Sequence, residues 1–487
     1  MPLMSHTTCQ SKPSPRASRL WLLLLLIPTL SLLPSCKKDK LLTDGFKLEF
    51  ETDSVEFDTV FSALGGGNPA SAHRSFKVYN RNKEKVSFRV RLAGGNASPF
   101  RMNVDGIDGA DVQGYELRPG DSAFIFVEVF LQPGNQNNPF LFTDSIYFES
   151  PTMLEKVRLV AYGQDAHYIH DTVISTNTVW DDDKKPYVLY NFVGIEENTK
   201  LTIKKGVHIY SHNNMRLYVL GTLDVQGDTN KPVIFEGDRL EYSMKNVDNQ
   251  WRGIRFLPTS FGNKIENAII KNATIGIEVD SISSGQSSGI PNLTLNNVQI
   301  RNMSLVGLLG LSSWIKGTNM LVANCGLYTF LGNYGGNYEF TNCTFASYNT
   351  VLSRKDPHFG LSNQYFVSGT TAFAFELRYK LKNCLIYGDQ DDEIEVVKDV
   401  NGGNVTDSTV EYCLIKTKKY NGNYSSKKGC LVNQEPQFAN ISGFDFLLGK
   451  DSPAKDKGDN TILFPPNDLT GYPRNGNPDI GCYEVRP

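Results

Sequence analysis

The chain is poor in the side chains from which metal and nucleophile sites are usually built. Its 487 residues include seven histidines and eight cysteines. No Cys-x-x-Cys occurs and no histidine sits beside the later cysteines, which argues against a thiolate metal centre. An excess of one charge is also missing. The chain has 49 Lys+Arg and 52 Asp+Glu. Residues 1–35 hold three basic residues and no acidic ones, so the remainder carries 46 − 52 = −6. That balance provides no electrostatic footprint for nucleic acid. Past residue 35, no apolar run is long enough to span a bilayer.

What is present begins with an address. Arg16 and Arg19 precede the run Leu20–Ile27, and apolar residues continue to Leu33. The run is about fourteen residues, short of the ~20 of a spanning helix. A basic start, a short apolar middle and a small residue before a cut are the parts of a secretory signal. Leu33-Pro34-Ser35-Cys36 resembles the bacterial lipobox, which implies cleavage after residue 35 and lipid attachment at Cys36. Several acyl chains on one cysteine suffice for stable anchoring. Lys37 is not the aspartate associated with inner-membrane retention. The expected place is therefore the outer membrane of a Gram-negative cell, facing the periplasm or the surface.

Beyond a linker at 36–45, two compositional styles follow. From 46 to 165, short alternating segments such as Val86–Leu92 and Ala123–Phe130 are separated by Gly/Asn/Pro turns. Period-two alternation predicts an antiparallel sandwich of about seven strands. The pieces "FKVYN", "SPFRMNVDG" and "VRLVAYGQD" resemble bacterial Ig-like domains of the ASPM/SPD-2/hydin type, which are mostly spacers.

From 166 to 445 asparagines recur in fixed places. Asn267-Ala268-Ile269-Ile270-Lys271-Asn272, Asn297-Val298-Gln299-Ile300-Arg301-Asn302 and Asn319-Met320-Leu321-Val322-Ala323-Asn324 share one pattern. Asn342-Cys343, Asn383-Cys384 and Tyr412-Cys413 begin in the same way. Successive first positions differ by 30, 22, 23, 41 and 29. A coil of about 22 residues with occasional loops is a solenoid signature. Leucines in fixed register are lacking, so a right-handed parallel β-helix fits better than a leucine-rich repeat. Asn tolerates the left-handed conformation of tight corners, and internal Asn ladders are expected. Cys343, Cys384 and Cys413 share the slot of Ala268, Val298 and Met320. They read as a stacked core column, with a disulfide between neighbouring coils as the alternative.

The opening coils, Leu201–Tyr210 and Leu217–Val225, resemble the pectin-lyase-like β-helix superfamily. "GDRLEYSMKNVDNQWRGIRF" (237–256) and "KNATIGIEVDS" (271–281) resemble exported β-helix lipoproteins without assigned activity. The tail, 446–487, resembles their closing "SPA-D-GD … D-GAYE" segment and is expected to cap the helix, with Cys482 in the core. Some relatives of this fold are lyases or hydrolases. The Asn-x-Asp, Asp-Asp, Gly-His-Gly and Arg-Ile-Lys set of its hydrolases does not appear in recognisable context.

Candidate chemistry is sparse. The interval between Asn342 and Asn383 is one coil longer than its neighbours and reads as an insertion, the usual place for a binding surface. Tyr328, Tyr334 and Tyr338 before it, with Arg354 and His358 inside it, are the candidate glycan-binding residues. Asp389, Asp391 and Asp392 read either as a Ca²⁺ cluster or as a solvated loop. His208 and His212 share a strand face without an evident third ligand. His167 and His170 read as packing at the domain junction. Arg252 and Arg255 show no acid nearby in sequence.

The reading is an all-β protein, an Ig-like β-sandwich followed by a right-handed parallel β-helix. Its expected role is an outer-membrane lipoprotein that binds glycan or another surface partner without catalysis and without a cofactor. A polysaccharide lyase or glycoside hydrolase, and a structural or adhesive surface protein, are the alternatives.

Overall fold

A computed structural model describes residues 40–61, 72–131, 140–281, 289–348, 354–367, 371–398, 405–474 and 476–486. Cys36 and the signal-like segment lie outside the described residues.

The first unit is a two-sheet sandwich. One sheet runs Leu41–Leu42, Lys85–Leu92, Phe140–Ser150, Met153–Gln164, Ser54–Phe61, with Asp111–Leu117 also on Lys85–Leu92. The other runs Glu49–Phe50, His73–Tyr79, Ser122–Val129, Phe100–Val104, Ile107–Asp108. Alternation explains the layering. Lys85–Leu92 buries every second side chain, and Val86, Phe88, Val90 and Leu92 meet Phe76, Phe100 and Phe148 between the sheets. Among the described residues eleven strands stand where about seven were expected, and three of them are two-residue edge strands, too short to show alternation.

From His167 the chain winds as a parallel β-helix with three faces. One turn shows the plan: Trp314–Thr318 on the first face, Leu321–Cys325 on the second, Tyr328–Asn333 on the third. The next turn repeats it in register, Ile315 against Tyr338, Val322 against Phe345 and Phe330 against Phe359. Inward residues of all three faces form one continuous apolar core.

The asparagines make the corners. Between the first and second faces, Asn267, Asn297, Asn319, Asn342 and Asn383 have φ of +49 to +57°, and Tyr412 takes the same place at +51°. Between the second and third, Asn272, Asn302 and Asn324 have φ of +54 to +66°. The first set forms a ladder: Asn297 Nδ2 donates to Asn267 Oδ1 at 3.1 Å, and Asn319 Nδ2 to Asn297 Oδ1 at 2.6 Å. The ladder stops at Asn342, whose buried amide has no hydrogen-bond partner among the described residues. Cys343, Cys384 and Cys413 are fully buried free thiols in one contiguous column, which Cys430 extends by one. The disulfide alternative is not the state seen.

Of two further expectations, the insertion is seen and the tail is placed differently. The long interval from Asn342 to Asn383 is one turn of the helix lengthened by inserted segments, as the spacing implied. Thr344–Ser347 and Phe359–Ser362 take their places on the second and third faces, joined through 348–358 where the previous turn uses only 326–327, and the hairpin Gln364–Val367/Thr371–Ala374 adds a second insertion. The tail does not cap the helix. It packs along the second face, with Phe446, Ala454, Leu469, Ile480 and Cys482 against Leu321, Ala323, Ala346, Leu385 and Leu414. Those positions are small or apolar on their outward side, which is why the face needs a cover. The short helix Asn421–Ser425 sits at the last coil instead, with Tyr424 packed on the core.

Candidate functional site

The residues expected to form a binding surface are brought together, but inside the protein. Arg354 donates to both Glu393 carboxylate oxygens, at 2.7 and 2.9 Å, and to Asp389 at 2.7 Å. Its side chain is 2% exposed and that of Glu393 0%. His358 is also fully buried. Its Nε2 lies 3.2 Å from the Tyr387 carbonyl, which can only accept, so Nε2 carries the proton. Nδ1 then accepts from the Thr329 hydroxyl at 2.6 Å. Burial, helped by the Arg354 charge, holds His358 well below the ordinary imidazole value and keeps it neutral. Burial also raises the Glu393 carboxyl, against the pull of Arg354. Glu393 stands 3.8 Å from His358 Nε2, beyond hydrogen-bond distance, so Thr329, His358 and Glu393 form no catalytic relay, and all three are sealed from solvent. Arg354 and His358 are therefore internal struts, and their assignment to a glycan surface is corrected.

Tyr338 is corrected for the same reason. It points inward on the first face, fully buried, and its hydroxyl donates to the carbonyls of Gly335 (2.8 Å) and Gly310 (3.2 Å). The ring occupies a slot of glycines. A Cβ at Gly310, Gly332 or Gly336 would lie 2.6 Å from a Tyr338 atom. Tyr328 and Tyr334 are half-buried. Tyr334 sits at a turn with φ +61°, and the Tyr328 ring lies against Gly360.

The acidic cluster does not converge on a point. Asp389 faces Arg354, and Asp391 pairs with Lys418 at 2.6 Å. Asp392 accepts from the Thr417 hydroxyl and the Lys418 and Lys419 amides, at 2.7 to 2.9 Å. Burial raises the Asp392 carboxyl, but those hydrogen bonds outweigh it and the net shift is downward. Among the described residues no group of three His, Cys, Asp or Glu is arranged to hold a metal. Asp389, Asp391 and Asp392 each have a separate partner, which gives the Ca²⁺ reading no support.

The paired histidines are each held by an acid from the next coil. His208 meets Glu236 at 2.6 Å, and Glu236 also binds Lys271 at 2.5 Å. His212 meets Asp238 at 2.6 Å, which raises the imidazole above its ordinary value. His167 pairs with Asp182 at 2.9 Å, and His170 stacks on Tyr190 with centroids 4.3 Å apart. Phe61 of the sandwich packs on Tyr210 close by, centroids 5.0 Å apart. This edge of the helix is the seam with the sandwich.

The third face carries a cluster that sequence reasoning missed. Tyr218, Arg255 and Glu278 stand in register on three adjacent strands, Arg216–Val219, Gly253–Phe256 and Ile275–Asp280. Arg255 contacts Glu278 at 3.3 Å and Asp280 at 3.0 Å, and Arg216 reaches Glu278 at 3.3 Å. The arginines keep 18 and 30% of their side chains in solvent, the acids 10 and 15%. Arg255 thus has acids beside it after all, supplied by the next coil, whereas Arg252 turns to Asn214 at 3.1 Å. Farther along, the same row carries Leu309 and Leu331. Alternation along Ile275–Asp280, which sets Glu278 and Asp280 on one side, was the available signal.

No protein-family model matches the chain, and no curated protein matches it. Solved structures are similar to it only remotely. The catalytic domain of a GH87 alpha-1,3-glucanase in complex with nigerose is 12% identical, over 71% of this chain and 82% of that one, at a TM-score of 0.19. A family 123 glycoside hydrolase from Clostridium perfringens is 4% identical over 25% of this chain, which spans 26% of that one, at 0.18. The CooA pilin subunit from enterotoxigenic Escherichia coli is 11% identical over 23% of this chain and 88% of its own, at 0.16. At such scores these likenesses bear on neither site nor substrate.

Proposed function

We propose that the chain is an exported, lipid-anchored module that binds a glycan along the third face of its β-helix and does not cleave it. The observation that carries this reading is the register row Tyr218–Arg255–Glu278, with Arg216 and Asp280 beside it. Guanidinium and carboxylate groups fixed against one another present planar donors and acceptors to paired hydroxyls. Tyr218 adds a ring face at the edge of the row. Mutual pairing holds these side chains in place before a ligand arrives, which lowers the ordering cost of binding.

One observation favours a hydrolase instead. Glu278 and Asp280 lie two residues apart on one strand, about 7 Å by strand geometry, within the span that glycoside hydrolysis uses. Both carboxylates, however, are already engaged by arginine, and both stand on one flat strand rather than across a cleft.

Titration of purified protein against acidic and neutral glycans, with parallel assays for new reducing or unsaturated ends, separates the two. The expected result is binding that Tyr218→Ala and Arg255→Ala each weaken tenfold or more, with no new ends. New ends that vanish in Glu278→Gln would establish the hydrolase. Binding indifferent to both substitutions would remove the third face from consideration. Anchoring is tested by metabolic labelling with palmitate, with Cys36→Ser expected to abolish incorporation and release the protein from the outer membrane.

A further inference from the structure

We propose that Cys413 and Cys430 form a thiol–disulfide couple that locks the C-terminal end of the β-helix. The argument is independent of any glycan. Leu414 pairs with Leu431, and Ile415 with Val432, as parallel neighbours. The Leu431 amide donates to the Cys413 carbonyl at 2.8 Å. The two cysteines therefore precede paired residues on adjacent strands, about 4.8 Å apart, inside the separation a disulfide spans. The Cys430 side chain also packs against the core cluster that contains Cys413.

Access singles out this pair from the column. Cys343, Cys384 and Cys413 are fully buried, and among the described residues Cys430 alone of the cysteines is partly exposed. An oxidant can meet the column only at that end. The neighbouring Cys413 side chain also lowers the Cys430 thiol below its ordinary value, which favours the attacking thiolate.

The chemistry balances with a disulfide donor of the glutathione class. The Cys430 thiolate attacks one sulfur of the donor, forms a mixed disulfide and releases one thiolate. Cys413 then loses its proton and attacks the Cys430 sulfur, expelling the second thiolate. Two electrons pass to the donor, and the two protons lost by the cysteines leave on the two released thiols. The bond closes a loop over residues 414–429. That loop contains Asn421–Ser425 and Tyr424, the elements that cover the last coil. A terminal repeat without a cover exposes core and strand edges, so the bridge holds shut the end most prone to fray.

The test treats the full chain with oxidised glutathione and maps disulfides by mass spectrometry after non-reducing digestion. The expected product links the Cys413 and Cys430 peptides and raises the denaturation midpoint above that of the reduced protein. Cys430→Ser should abolish both effects, and Cys384→Ala should abolish neither. In Cys413→Ala, glutathione should remain trapped on Cys430. A bridge between other cysteines, an unreactive Cys430, or no adduct in Cys413→Ala would overturn the proposal.

Discussion

Replacing Asn319 tests the corner logic most sharply. Asn319 is fully buried at φ +57°. Its side chain donates to Asn297 Oδ1 at 2.6 Å and to the Asn467 carbonyl at 3.3 Å, and it accepts from Arg474 Nη2 at 2.8 Å. It thus joins the corner ladder to the tail. Asn319→Ala removes two neutral hydrogen bonds, worth about 1 kcal/mol each, and one charge-assisted bond worth roughly 2 kcal/mol. It also places a Cβ without local compensation in the left-handed region, at about 1 kcal/mol. The expected loss is about 5 kcal/mol. Asn319→Gly loses the same bonds but not the backbone term, so it should retain roughly 1 kcal/mol more than alanine. Urea denaturation followed by tryptophan fluorescence reads the difference, because Trp314 lies on the strand just before this corner. An alanine variant within about 1 kcal/mol of the parent, or a glycine variant no better than alanine, would refute the reasoning.

Three further outcomes are expected. Arg354→Ala leaves Glu393 buried without its cation and should cost about 3–5 kcal/mol. Adding Glu393→Gln should recover part of that loss in the same denaturation assay. Tyr338→Phe should cost about 1–2 kcal/mol, since two buried glycine carbonyls lose their donor while the ring still fills its slot. The third concerns pH at the seam, where Asp58, Arg74, Asp238, Arg239 and Glu241 surround His212. Because Asp238 raises the folded pKa of His212, its stabilisation is complete below the ordinary imidazole value and is lost as pH rises through the folded value. Thermal midpoints measured across that window should fall in the parent, and this component should be absent in His212→Asn.

The coil was legible where the backbone restricts the residue. A corner at φ near +55° admits glycine or asparagine and few others, so Asn267, Asn297, Asn319, Asn342 and Asn383 announce the geometry in the sequence itself. The slot after each corner faces the core, so Cys343, Cys384 and Cys413 could be aligned with Ala268 and Val298 by position alone. Tyr338 was misread because its burial depends on Gly310 and Gly332, which belong to neighbouring coils and have no side chain of their own to signal a slot. The tail was misread because apolar residues such as Ile480 and Leu469 declare that they need a partner, not which one.

The third-face cluster was illegible for a deeper reason. Arg255 finds Asp280 at a separation of 25 residues, and Arg216 finds Glu278 at 62. In a solenoid, contact distance along the chain equals the coil length, and that length varies wherever a loop is inserted. The segment between Val233–Gly237 and Gly253–Phe256 is such a loop, so no fixed offset connects Arg216 to the coils that follow. A corner constrains one residue and repeats without knowledge of the period. A charge pair constrains two residues and requires the period at that turn to be known. Fold was therefore readable from the repeats, while the chemistry between repeats emerged only once the turns were stacked.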